Sequence, residues 1–214
     1  MGKKVNSQIV RQIDTEFTEA HKAVIRSLAS SSQEIKNSIH LLGEELAKEI
    51  VKTYFIFERQ ISTPMGFNLN LPFPEYPHTA IVTTKDDFKY LAYGIGHVLE
   101  NCIIGYMDFR GLRGIQALNA KIRHMKLPEP KSGPVNTLII GKAVLATGCT
   151  AISLTKTAMQ KYMPRRTIVA TVFYSQQGVN ELLQDIPNID VFLIGKSDQI
   201  NSDGMLEPGI GNLY

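Results

Sequence analysis

Residues 137–150 read TLIIGKAVLATGCT. Leu138, Ile139 and Ile140 form a short apolar run of the kind that fills a strand buried on both faces. The run passes into Ala146-Thr147-Gly148-Cys149-Thr150, and helical character begins at about Ala151. A strand, a small-residue turn and a helix in that order present backbone N–H groups and two hydroxyls at a helix N-terminus. That arrangement suits a phosphate dianion. Gly148 permits the close backbone approach such a ligand requires. The same spacing also fits an ordinary connection in which Thr147 or Thr150 caps the helix.

Working outward, further apolar runs lie at Ala80–Thr83, Ile103–Met107, Thr167–Phe173 and Val191–Ile194. Helical stretches lie between them at Phe88–Leu99, Ala151–Lys161 and Gln176–Asp185. Buried strands alternating with helices predict an α/β fold with a central, mostly parallel sheet. Ligands of such sheets bind at the C-terminal ends of the strands. Upstream, Ile35, Ile39, Leu42, Leu46, Ile50 and Tyr54 recur at spacings of three and four. They predict a long helix over 34–57 that packs on a core or on a second subunit. Residues 7–29 also read as helical, and Pro72, Pro74 and Pro77 exclude helix from 63–78, where Phe67–Leu71 fits a short strand. The expected division is an N-terminal helical segment at 1–62 and an α/β core at 63–214.

Composition bounds the rest. The 214 residues are 43% hydrophobic and 20% charged, which excludes a disordered chain. The net charge of +3, with no long basic run, argues against a nucleic-acid partner. No stretch approaches the length of a membrane span, and no apolar segment follows the positive start MGKKVNSQIV, so neither membrane nor secretion is expected. Two cysteines, Cys102 and Cys149, make no disulfide framework and suit a reducing cytoplasm. The five histidines show no pair at zinc-ligand spacing, so no metal site is expected. Gly94-Ile95-Gly96 lacks the third glycine of a dinucleotide loop and reads as a backbone-packing feature.

Three segments together resemble the uracil phosphoribosyltransferases, which have the type I phosphoribosyltransferase fold. Val144–Thr150 is similar to that family's 5′-phosphate loop, D-P-M-L-A-T-G-G-S/T. Ser175-Gln176-Gln177-Gly178-Val179, followed by a helix and Ile186–Val191, resembles its next turn and strand entry. Ser197–Asn201 with Gly204–Asn212 resembles its base-cradling segment, I-D-x-x-L-N-x-x-G-Y-I-V-P-G-L-G-D. The resemblance implies a 5′-phosphate at Ala146, Thr147, Gly148, Cys149 and Thr150. It implies a pyrimidine-type base beside Met205, Leu206, Gly211 and Asn212, and a homodimer. It also implies ribose 5-phosphate transfer to the base, a glycosyltransferase reaction of pyrimidine salvage. Mg²⁺ enters if the donor is phosphoribosyl pyrophosphate.

The departures fall on charged positions. Lys142 stands where the family has the carboxylate that holds the ribose hydroxyls, and Asn212 stands for an Asp. An ammonium neither accepts hydrogen bonds from a diol nor attracts a divalent cation. Lys142 either meets a phosphate directly or points to solvent. The family's R-A-G-L-G pyrophosphate loop is replaced by Thr83–Gly96, which offers Lys85 or Lys89 instead of arginine. Arg110 remains as an anion contact in Met107-Asp108-Phe109-Arg110. These departures leave open a second expectation: a catalytically silent or regulatory nucleotide-binding homologue, or altered ribosyl-phosphate chemistry.

Overall fold

The computed structural model describes residues 8–109, 122–130 and 133–210. Its centre is a seven-stranded sheet formed by β1 (Val10–Ile13), β4 (Thr79–Thr84), β5 (Cys102–Asp108), β6 (His124–Lys126), β7 (Thr137–Leu145), β8 (Arg166–Tyr174) and β9 (Asp190–Ile194). The order is β1-β9-β8-β7-β4-β5-β6, and every pairing is parallel except the antiparallel β5–β6 edge. This is the α/β class read from the sequence. All six residues of β4 are buried, as expected of a strand covered on both faces.

The covering layers are helical. Long helix α2 (Ser32–Tyr54) and short helix α3 (Tyr93–Val98) lie on one face, in a cluster that contains Ile39, Leu42, Leu46, Ile50 and Ile95. Helices α4 (Cys149–Tyr162) and α5 (Gln176–Asp185) cover the other, with Ala151, Leu154, Ala158, Val179 and Leu182 in its cluster. The stripe on α2 is therefore buried by the sheet of its own chain and gives no support to a second subunit. Helix α1 (Glu16–Arg26) packs beside α2. Ser31 caps α2 through a reciprocal capping box with Glu34.

Three local expectations are corrected. Val10–Ile13 is strand, not helix, because the exposed edge of β9 supplies the backbone partners: Val191 N–H donates to Ile9 O at 2.8 Å and Gly195 N–H to Ile13 O at 2.7 Å. Helix α2 ends at Tyr54, and Ile56–Ser62 (β2) turns back on Asn68–Pro74 (β3) as a two-stranded hairpin. Pro72 and Pro74 sit within β3, where a proline is tolerated because each strand has only one partner. Phe88–Leu99 opens as one wide turn, with Ala92 N–H donating to Asp87 O, before it becomes regular helix. Gly94 is the packing position expected of it. An added Cβ would lie 2.1 Å from the His40 carbonyl oxygen, so α3 crosses α2 in backbone contact.

The last hairpin, Gln199–Ile200 (β10) with Leu206–Glu207 (β11), follows β9. No helix among the described residues is long and apolar enough to cross a membrane.

Candidate functional site

The C-terminal ends of β4, β7 and β8 share one edge of the sheet, and the loops that leave them form the candidate site. From β7 the chain passes through Ala146 and Thr147 to Gly148, which begins α4 in the left-handed region at φ +76°. A Cβ there would also stand 2.8 Å from Gly178 O, so only glycine fits. Thr15, Ser31 and Ser175 cap α1, α2 and α5 with side-chain oxygens. Gly148 has none to offer, and no side chain caps α4. The capping role open to Thr147 or Thr150 is not taken up. The first turn of α4 keeps its N–H groups and its positive dipole end turned to the loop.

A second loop buttresses the first. Ser175, at the end of β8, donates its hydroxyl to Ala146 O at 2.6 Å and accepts from Gly178 N–H at 2.8 Å. One serine thus caps α5 and fixes the backbone of the Ala146–Thr150 loop. Gly178 packs so tightly that an added Cβ would lie 2.2 Å from Ala146 O.

The third element is the segment from Asp198 to Leu206. Asp198 N–H donates to Tyr174 O at 2.8 Å, and both carboxylate oxygens accept from Arg26 of α1 at 2.7 Å. Asn201 closes the following turn: its side-chain oxygen accepts from the N–H groups of Asp203 and Met205 at 3.1 and 3.0 Å. This turn carries Gly204 to the Ala146–Thr150 loop, where its Cβ position is 3.4 Å from the Thr147 methyl group. Met205 is half-exposed on the turn. Leu206 sends its side chain into the core, leaving only backbone groups for a ligand. Gly211 and Asn212 lie outside the described residues, as does Arg110.

Lys142 does not simply point to solvent. Its ammonium donates to Asp87 Oδ2 at 2.6 Å. Asp87 is almost wholly buried and also accepts from Thr84 Oγ1 at 2.7 Å. Lys85 follows β4 directly and pairs with Asp108 at the end of β5, at 3.3 Å. Lys89 is exposed on the wide turn. Of the carboxylates on these loops, Asp87 and Asp108 each accept from an ammonium, whereas Asp86 is exposed beside Asp87 and would be the one open to a hydrated Mg²⁺. The partner of Lys142 emerges only from the parallel pairing, in which Thr83 of β4 faces Gly141 of β7 and the loop after β4 brings Asp87 to Lys142.

Cys149 donates weakly to Thr147 O at 3.8 Å. A solvent-open hollow of about 570 Å³, lined by Tyr54, Tyr76, Asn136 and Arg166 among others, lies at the opposite ends of β7 and β8.

Comparison with known proteins agrees with this geometry. The sequence profile of the family described as uracil phosphoribosyltransferase matches residues 12–213. The chain is 23% identical over 188 residues to a uracil phosphoribosyltransferase of Methanococcus maripaludis, covering 88% of this chain and 80% of that protein. It is 21% identical over 203 residues to one of Pyrobaculum arsenaticum, covering 95% of each. A solved protein of Aquifex aeolicus superposes with a TM-score of 0.75 at 19% identity, covering 96% of this chain and 95% of that one.

Proposed function

The chain belongs to the uracil phosphoribosyltransferase family, and we propose that it binds a 5′-phosphoribosyl compound and transfers ribose 5-phosphate to a pyrimidine-type base. The observation that carries this reading is the uncapped start of α4 at Gly148, buttressed by Ser175 and Gly178. Backbone N–H groups of Thr147–Thr150 cradle the 5′-phosphate, and the turn at Asn201–Met205 sets the base against the same loop. In the reaction, a C1′–nitrogen bond forms as the C1′–oxygen bond to pyrophosphate breaks. Pyrophosphate leaves with the electron pair and the base nitrogen loses a proton. Lys85 and Lys89, on the segment after β4, are the residues assigned to the charge of the leaving pyrophosphate. No step is routed through Mg²⁺; bound with the donor, it would neutralise charge on the pyrophosphate.

The Lys142–Asp87 pair favours a second reading, a nucleotide-binding homologue without the transfer reaction, because it removes the carboxylate from the ribose position. Incubation with uracil, phosphoribosyl pyrophosphate and Mg²⁺, read as UMP and pyrophosphate formed, separates the two. UMP supports transfer. No UMP, together with saturable binding of UMP or ribose 5-phosphate at one equivalent, supports the second reading. Neither product nor binding sinks both.

The proposed assembly is a homodimer. Its support is the β2–β3 hairpin, which exposes Ile56, Phe57, Leu69, Leu71 and Phe73, with Phe67 at its turn. A two-stranded hairpin is marginal in water, and apolar side chains on both strands are stabilised by a cover. A second copy supplies one by the same surface. Light scattering is expected to give twice the monomer mass, and Leu71→Asp combined with Phe57→Asp to return it to the monomer value. A wild-type monomer at micromolar concentration refutes the assembly.

A further inference from the structure

We propose that His40, Glu44 and His97 form a divalent transition-metal site that clips α2 to α3, away from the proposed transfer site. His40 and Glu44 are four residues apart on α2 and so project from one face. His97 lies in the last turn of α3. Glu44 Oε1 is 2.7 Å from His97 Nδ1 and 3.4 Å from His40 Nε2, and the three ligand atoms all lie within 4.8 Å of one another.

Bonds of about 2.0–2.2 Å in a tetrahedral shell place neighbouring ligand atoms roughly 3.3–3.6 Å apart. Receiving an ion therefore requires His97 Nδ1 to retreat from Glu44 by less than about 1 Å and to close on His40 Nε2, whose separation from it is bounded by 4.8 Å, an adjustment for side-chain rotation. Its imidazole is on the surface and has room to turn. The backbone beneath is fixed. Gly94 lies against the His40 carbonyl, and a Cβ on Gly43 would sit 2.8 Å from Leu91 O. This close crossing brings the third ligand over the first two. The Glu44 carboxyl is mostly screened from solvent and faces both imidazoles.

Two imidazoles and one carboxylate select Zn²⁺, Co²⁺ or Ni²⁺ over Mg²⁺ or Ca²⁺, and leave a position for water. Histidine spacing alone misses the site because one ligand is a carboxylate and the third comes from another helix. The site's place in the fold sets its role. From Val98 at the end of α3, the chain leads into the start of β5, so His97 lies toward the sheet edge opposite Ala146–Thr150. The ion would therefore tether α3, whose preceding turn carries Asp87, instead of touching a phosphoribosyl ligand.

The test uses tag-free, full-length protein stripped with a chelator. Zn²⁺ competition against a chromophoric chelator should show one equivalent bound, and Co²⁺ should give the visible absorption of a four-coordinate centre. Zn²⁺ should also raise the melting temperature. His97→Ala and Glu44→Gln should each weaken Zn²⁺ binding at least tenfold, while His124→Ala, on exposed β6, should leave it unchanged. His97 is largely exposed, so His97→Ala is expected to fold, as circular dichroism would verify. Absence of saturable Zn²⁺ binding overturns the proposal. So does binding that survives both His97→Ala and Glu44→Gln.

Discussion

Replacing Lys142 by methionine is expected to lower the melting temperature by roughly 6–20 °C. The substitution leaves Asp87, 1% exposed at its side chain, without the ammonium 2.6 Å away. Removing one member of a buried ion pair costs about 3–5 kcal/mol; Asp87 loses its Lys142 counter-ion and keeps its other contacts, the Thr84 hydroxyl among them. For a chain of this size each kcal/mol corresponds to about 2–4 °C. The double variant Lys142→Met with Asp87→Asn removes both charges and should recover most of the loss. Thermal melts of the two single variants and the double variant measure this directly; additive losses would show that the pair is not coupled. The same geometry changes how the missing ribose carboxylate must be tested. Lys142→Asp alone places two carboxylates together and should fold worse than Lys142→Met. Lys142→Asp with Asp87→Asn restores the family's carboxylate while keeping an acceptor for Thr84. A gain in UMP formation by that variant would identify the charge reversal as the cause of weak or absent transfer.

The second large effect is expected at Gly178. A methyl group there would meet Ala146 O at 2.2 Å and Leu145 Cδ2 at 2.8 Å, both rigidly placed. Overpacking of this kind costs about 1–3 kcal/mol, or roughly 2–12 °C in a melt. The displaced atoms belong to the phosphate loop, so ligand binding should fall as well, by about tenfold for each 1.4 kcal/mol lost. Gln177→Ala, exposed in the same turn, should leave both quantities unchanged. Calorimetry with ribose 5-phosphate and a thermal melt distinguish the outcomes. Wild-type affinity in Gly178→Ala would remove Ser175 and Gly178 from the support of the loop.

The parallel strands were legible because strands buried on both faces need short apolar runs, and Ala80–Thr83 and Leu138–Ile140 show them. Strand β1 was not, since VRQI has no distinctive pattern and becomes strand only because β9 offers an edge about 180 residues later. The loop at Ala146–Thr150 could be read from its small residues, yet its support could not. Ser175 and Gly178 touch it only after β7 and β8 are paired. Lys142 was recognised as a charge reversal, but its partner was hidden because Asp87 belongs to another strand's loop. The His40–Glu44–His97 cluster was overlooked for a similar reason, since it depends on two glycines that bring α2 and α3 into contact.

The pairing of β1 with β9 also sets the order of events during synthesis. Residues 10–13 leave the ribosome early, but their partner, residues 190–194, is made about 180 residues afterwards. At about 5–20 residues per second, that interval is on the order of 10 s or more. Until it ends, Arg26 also lacks its Asp198 partner. Completion of the sheet edge and anchoring of the segment beside Ala146–Thr150 therefore come together, once residues 190–198 have been made.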